Sequence, residues 1–238
     1  MNALPAATLD RALDRVATIW HPAGAPHNLI YGMSGAGKST LIKALLGLCP
    51  HERVLILDPK PHPDPVWNDG APPAWGRQVT EVSPVFAGER DGGGPAGLWS
   101  RLTGTPDRAA TARRFGAALA VVAAEGHCVL VLDDVREITR QLRLAEAVDS
   151  ALNLGRSAGV LAILSATETG YVAGRAQAAQ AWVGHTSGLP AARAGAELLG
   201  WRGAARQDIC ANVAPHEWIF SEAESGSAGP VLVTAGRP

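Results

Sequence analysis

The stretch Gly32-Met33-Ser34-Gly35-Ala36-Gly37-Lys38-Ser39-Thr40 leaves this chain few folds to choose from. It follows the spacing G-x-x-x-x-G-K-[ST], in which a glycine-rich turn joins a strand to a helix and backbone N–H groups converge on anionic oxygens. Both flanks agree with that geometry. Asn28-Leu29-Ile30-Tyr31 reads as the strand entering the turn, and Thr40-Leu41-Ile42-Lys43-Ala44-Leu45-Leu46 as the helix leaving it. Gly32, Gly35 and Gly37 let the backbone curl, and Ser34, Ala36 and Thr40 complete the cradle around the phosphates. The helix N-terminus adds its partial positive charge beneath them. Lys38 supplies a cation to the β- and γ-phosphates, and Ser39 a hydroxyl ligand for Mg²⁺. The expected ligand is therefore a nucleotide, ATP with Mg²⁺.

The remaining apolar runs set the fold class. Arg53 to Asp58 is an apolar strand ending in an acid and Pro59. Thr105-Pro106-Asp107 starts a helix with cap, first-position proline and acid; Phe115, Leu119 and Val122 give it a buried stripe and Gly126 ends it. Cys128 to Leu132 is a second buried strand, closing on Asp133 and Asp134. Ile138, Leu142, Ala145, Val148 and Leu152 recur at helical spacing, with Gly155 as the stop, and Val160 to Leu164 is a third buried strand. Strands apolar on both faces and alternating with helices predict an α/β fold, with a mainly parallel central sheet and helices on both faces. Outside this core, Pro5 to Trp20 reads as a short amphipathic helix. The tail offers a weak strand around Trp182, a helix near Ala191–Leu199, and a C-terminal hairpin pairing Trp218-Ile219-Phe220 with Val231-Leu232-Val233. Residues 61–104 are rich in proline and glycine, with one plausible strand from Arg77 to Val82 and a mobile-looking Asp91-Gly92-Gly93-Gly94. A stretch of that length without structure is usually functional or disordered. The expected organisation is one domain over residues 1–238, with an N-terminal helix and linker (1–25) and a Pro/Gly-rich insertion (61–104).

Composition bounds the function. The chain has 238 residues, enough to bury a substantial core without staples. Its net charge of −1 excludes a histone-like DNA coat, although a local basic channel surface stays compatible with it. Cys49, Cys128 and Cys210 have no metal-ligand spacing, so reduced thiols and a cytoplasmic location are expected. No apolar run reaches the ~18 residues of a membrane span. The tryptophans are too evenly spread to form a box and read as core or subunit contacts.

Asp133, at the C-terminal end of its strand, stands where open α/β sheets place ligands, and its carboxylate can hold Mg²⁺ through water while Ser39 holds it directly. Asp134 is then the candidate base or water-positioner, with Glu137 as the fallback; the competing reading makes Asp134 a helix cap. Arg156 either satisfies the carbonyls at the end of its helix or reaches a neighbouring subunit's γ-phosphate as an arginine finger. If the Val160–Leu164 strand lies between the loop strand and the Asp133 strand, Ser165 and Thr167 stand beside the γ-phosphate as a sensor.

Three segments carry a family likeness. Pro26 to Ser39 resembles the start of the FtsK/SpoIIIE motor domain. Leu55-Ile56-Leu57-Asp58-Pro59-Lys60 is similar to that family's strand ending in Asp-Pro-Lys, and Gly155-Arg156-Ser157-Ala158-Gly159-Val160, leading into Leu164-Ser165-Ala166-Thr167, to its Gly-Arg-Ala-x-Gly segment before the sensor. Gly195-Ala196-Glu197-Leu198-Leu199-Gly200 echoes a late family helix. Glu168 replaces the family's usual sensor glutamine, and Asp134 stands where glutamate is usual. The resemblance implies the FtsK/HerA superfamily of RecA-like P-loop ATPases, usually hexameric rings that pump double-stranded DNA, and assigns Lys38, Ser39 and Asp133 to ATP and Mg²⁺. Without the anchor and DNA-reading domain of chromosomal FtsK proteins, the chain looks more like the genome-packaging ATPases of membrane-containing viruses. The resemblance thus implies an ATP-driven DNA translocase, for packaging or mobile-element transfer, with sequence-independent duplex DNA and a virion portal, membrane or conjugation apparatus as partners. Arg108, Arg113 and Arg114, or the 88–104 loop, are candidates for a channel surface. The alternatives are an ATPase energising secretion or conjugation, and a small-molecule P-loop kinase or nucleotide switch, against which the Asp-Pro-Lys and Gly-Arg-Ser-Ala-Gly segments speak.

Overall fold

In the central strands, side chains alternate between two apolar faces. Val54, Ile56, Val129, Val131, Leu161 and Ile163 belong to one buried cluster; Leu55, Leu57, Leu130, Leu132, Ala162 and Leu164 belong to another. A strand buried on both faces needs helices above and below it. The computed structural model describes residues 4–19, 27–48, 53–61, 77–78, 99–167, 178–222 and 230–234. In chain order these form β1 (Ala6–Thr8), α1 (Leu9–Ile19), β2 (His27–Tyr31), α2 (Lys38–Leu46), β3 (Val54–Asp58), β4 (Arg77–Gln78), β5 (Trp99–Thr103), α3 (Arg108–Glu125), β6 (Val129–Leu132), a π-helical turn (Glu137–Gln141), α4 (Ala145–Ser157), β7 (Leu161–Ala166), β8 (Ala178–Gly184), α5 (Gly188–Leu198), α6 (Ala204–Ala211), β9 (Glu217–Glu222) and β10 (Val231–Thr234). The strands make one sheet in the order β1-β10-β9-β8-β2-β7-β6-β3-β5-β4. Only β9 runs antiparallel to its neighbours, β8 and β10.

Residues of α1 and α2 (Val16, Ile42, Leu45) pack on one face of the sheet. Residues of α3, α4, α5 and α6 (Phe115, Leu119, Leu152, Ala196, Cys210) pack on the other. The α/β class, the mainly parallel sheet, the helices on both faces and the C-terminal hairpin are all present. In the hairpin, Trp218 opposes Val233 and Phe220 opposes Val231. Trp182, Trp201 and Trp218 are buried, as expected of core tryptophans, and the Trp182 ring lies 4.3 Å from that of Phe220. Register matters most for function. Leu57 pairs with Leu132, Leu132 with Leu164, and Tyr31 with Ala166. The C-terminal ends of β3, β6, β7 and β2 therefore align along one edge.

Several boundaries differ from the sequence reading. Helix α3 starts at Arg108, because Asp107 rather than Thr105 is its cap: the Asp107 carboxylate accepts the N–H groups of Ala109 (2.8 Å) and Ala110 (3.2 Å). The expected second helix is two pieces, since Arg143 adopts φ 57° and breaks the path between the π-helical turn and α4. Gly155 does not stop α4, which continues to Ser157. It allows close approach instead: a Cβ there would stand 2.8 Å from Val160 Cγ2. At the N-terminus the helix begins only at Leu9, because residues 6–8 pair with β10. Strand β5 lies inside the Pro/Gly-rich stretch, and α6 was not foreseen. Asp91-Gly92-Gly93-Gly94, and the Arg77–Val82 strand beyond Gln78, lie outside the described residues.

Candidate nucleotide site

The turn between β2 and α2 is stitched to its neighbours through backbone. Gly32 N–H donates to Ala166 O (3.2 Å) at the end of β7, and Met33 N–H donates to His185 O (2.9 Å) just after β8. Gly35 and Gly37 adopt φ 81° and 92°, values that L side chains rarely take. At Gly37, which caps α2, a Cβ would also lie 3.0 Å from the Nδ1 of His216. Lys38 Nζ donates to Gly32 O (2.9 Å) and Met33 O (3.0 Å), spanning the turn it belongs to. Ser39 and Thr40 follow in the first turn of α2, and Ser34 and Gly35 are exposed while Ala36 is buried. The result is a turn fastened to two strand ends, with the Lys38 ammonium lying against its carbonyls.

At the same edge of the sheet is an acid pocket built from three neighbouring strand ends. Asp133 follows β6 and is 1% exposed. Ser165, on β7, donates its hydroxyl to Asp133 Oδ1 (2.7 Å) and accepts the Asp134 N–H (2.9 Å). The other Asp133 oxygen, Oδ2, meets Lys60 Nζ at 3.3 Å. Asp58, ending β3, is fully buried; its Oδ1 accepts the Lys60 N–H at 3.1 Å, and its Oδ2 has no hydrogen-bond partner among the described residues. Burial first, and then the neighbouring Asp133, push Asp58 up to about 6. Burial alone would lower Lys60, but Asp133 and Asp58 outweigh it and hold its ammonium above the ordinary value.

Asp134 adopts φ 61° at the turn after β6, a conformation that aspartate tolerates better than most residues. Its Oδ1 lies 3.4 Å from the Glu137 N–H, the capping contact, and its Oδ2 accepts from Thr167 Oγ1 at 3.3 Å. One carboxylate thus meets both the turn it caps and the end of β7. Strand β7, which carries Ser165 and leads to Thr167, lies between β2 and β6.

Two candidates are placed differently. Glu137 directs its carboxylate to Arg108, 3.7 Å away at the start of α3. Arg156 lies near the end of α4, beside the N-terminal ends of β6 and β7. At about 3.3 Å per strand residue, the length of β7 separates that edge from the phosphate loop by roughly 20 Å. The backbone of Arg156 is therefore remote from its own chain's loop. Of the other basic candidates, Arg114 donates to Thr103 O (3.3 Å), while Arg113 is exposed.

Sequence reasoning left Lys60, Asp58 and His216 without roles. The Asp-Pro-Lys segment marked the first two, but only the strand order reveals that they meet Asp133; nothing in the sequence marks His216.

Divalent-ion chemistry suits these residues. Asp133 Oδ2 already carries a cationic partner, the Lys60 ammonium, and Ser39 offers a hydroxyl on the first turn of α2. Among the described residues no group of three or more His, Cys, Asp or Glu forms a cage. Mg²⁺ typically takes one or two carboxylates together with substrate phosphates and water.

No protein-family model matches the chain, and no curated protein matches its sequence. Solved structures do share its fold. The genome packaging NTPase B204 from Sulfolobus turreted icosahedral virus 2, in complex with AMPPCP, aligns over 91% of this chain and 100% of its own at 17% identity and a TM-score of 0.62. The pCW3 conjugation coupling protein TcpA, with ATPγS, aligns over 88% of this chain and 60% of its own at 13% identity and a TM-score of 0.53. EssC (ATPases 2 and 3) from Geobacillus thermodenitrificans aligns over 87% of this chain and 39% of its own at 11% identity and a TM-score of 0.55. The fold is that of RecA-like P-loop NTPases, in agreement with the FtsK/HerA likeness read from the residues.

Proposed function

We propose that this chain is an ATP-hydrolysing motor that moves double-stranded DNA, in viral genome packaging or mobile-element transfer. The observation that carries the reading is one alignment. The phosphate loop after β2, Ser165 and Thr167 of the β7 end, and the Asp133–Asp134 pair after β6 share one sheet edge, on a fold that B204 matches along its whole length. Gly32, Ser34, Gly35, Ala36, Gly37 and Thr40 shape the phosphate cradle, and Lys38 turns from the loop carbonyls to the β- and γ-phosphates. Ser39 and Asp133 would hold Mg²⁺, which would offset phosphate charge. Asp134 takes the proton of the attacking water or orients that water, while Thr167 fixes the Asp134 carboxylate and senses the γ-phosphate. Glu137, paired with Arg108, is the weaker candidate for the base.

Arg156, on the opposite edge, serves a neighbouring subunit's site, which makes a ring, expected to be a hexamer, part of the mechanism. DNA contact is to phosphates and independent of sequence, so it weakens steeply with salt. A second reading, an ATPase that energises conjugation or secretion, is supported by the TcpA likeness.

The test is ATP turnover with and without linear duplex DNA across a salt series, with Lys38→Ala as the control. Several-fold stimulation by DNA at low salt, absent from Lys38→Ala, is expected. ATP turnover that ignores DNA at every salt concentration sinks the DNA motor and favours the second reading.

A further inference from the structure

Asp58 and Asp133 end adjacent parallel strands, and both are buried. Two carboxylates in that position repel each other and lack water to screen them. Ser165 satisfies one oxygen of Asp133, and the Lys60 N–H one oxygen of Asp58. The Lys60 ammonium provides a positive charge against Asp133 Oδ2. Its backbone is fixed. Pro59 restricts the preceding residue, Gly104 N–H donates to Asp58 O at 2.7 Å, and a Cβ on Gly104 would overlap Pro59 O. The Lys60 side chain is the movable part: it is 45% exposed, whereas the Asp133 side chain is 2% exposed. A lysine carries a compact charge on a flexible stem, so it can leave without disturbing the strand that bears it.

We infer that Lys60 is a tethered cation that neutralises the acid pocket and competes with a divalent metal for Asp133. Metal alone must displace the ammonium into water and gains one carboxylate. Metal arriving with a nucleotide brings phosphate oxygens, which give the displaced ammonium a new anionic partner. Lys60 thereby makes the pocket select metal bound to nucleotide over free metal. This rests on the nucleotide reading above, and it makes Lys60 a positioning residue rather than a catalytic one.

The experiment titrates the full chain with Mn²⁺ alone, read by thermal shift and by the paramagnetic signal of free Mn²⁺. Wild type and Lys60→Arg, which keep the charge, should bind Mn²⁺ weakly. Lys60→Met should bind it about ten- to a hundredfold more tightly and melt lower without metal, as expected for losing a hydrogen bond to a charged group. Because Lys60→Met takes the ammonium from both buried acids and leaves Asp58 with only Arg101 as a cation, Asp58→Asn/Lys60→Met is compared with Asp58→Asn as a second pair, which should show the same gain. Equal Mn²⁺ affinity within that pair overturns the inference. Fluorescent ADP binding in EDTA separates the two ideas. If wild type binds no ADP, the nucleotide reading fails; if it binds ADP while the Mn²⁺ affinities stay equal, only the role of Lys60 fails.

Discussion

The phosphate loop and the acid pocket lie at the same sheet edge but hold their shapes by different means. The loop is held by backbone: Gly35 and Gly37 in left-handed conformations, and N–H groups of Gly32 and Met33 fastened to the ends of β7 and β8. The pocket is held by side chains from β3, β6 and β7, with Ser165 bridging Asp133 and Asp134 and Lys60 compensating the acids. Substitution of a loop side chain should therefore remove chemistry and spare the fold. Substitution in the pocket should alter stability as well, because buried charges depend on their partners.

The largest effect expected is on the loop. Lys38→Ala should lower ATP turnover by about 10²–10³-fold, the scale of losing one preorganised electrostatic group. Its melting temperature should move only by ~2–4 °C, since its bonds to Gly32 O and Met33 O are part-buried and lie within the loop. A larger melting shift would erase the contrast between the regions.

Asp58 gives the next largest effect, through pH. Its folded value is raised to about 6, so the folded state binds the proton more tightly than the unfolded chain does. The resulting stability is fully present below the ordinary carboxylate value and is lost as pH rises through about 6, up to ~3 kcal/mol in all. Asp58→Asn should gain stability relative to wild type between pH 4 and pH 8 in denaturant titrations. A pH-independent difference would show that Asp58 is not strained by ionisation.

Ser165→Ala should cost about 1.5–3 kcal/mol, because it removes a buried hydroxyl bonded to a carboxylate. Turnover should fall with it, as Asp133 and Asp134 lose their common bridge; unchanged stability by urea titration would contradict the pocket's dependence on side chains. Gly35→Ala is the smallest change. Among the described residues nothing lies within 4 Å of its added Cβ, so the penalty is that of the left-handed backbone, about 1–2 kcal/mol. Nucleotide binding should weaken while the acid pocket keeps its metal response; a loss of both would couple the two regions.

The same contrast explains what was legible in the sequence. The loop is local, so its spacing announced Lys38, Ser39 and their glycines directly. The central strands were legible because burial on both faces leaves continuous apolar runs, as in residues 54–57, 129–132 and 161–164. The pocket was half legible: Asp133, Asp134 and Ser165 ended recognisable strands, but their hydrogen bonds depend on strand order, which no local pattern encodes. Lys60 and Asp58 lie 73 and 75 positions before Asp133 and meet it only through the pairing of β3 with β6. Breaks and caps were missed where one residue overrides a periodic pattern, as Arg143 does between the π-helical turn and α4, and Asp107 at the start of α3.

The parallel pairing of β1 with β10 has a mechanical consequence. Ala6 lies against Leu232 and Thr8 against Thr234, so opposite ends of the sequence share one ladder at the sheet's edge. Tension applied through residues 6 and 234 would act along that ladder rather than across it, loading its rungs together instead of peeling them one by one. The β1–β10 ladder is thus a clasp that resists pulling at residues 6 and 234.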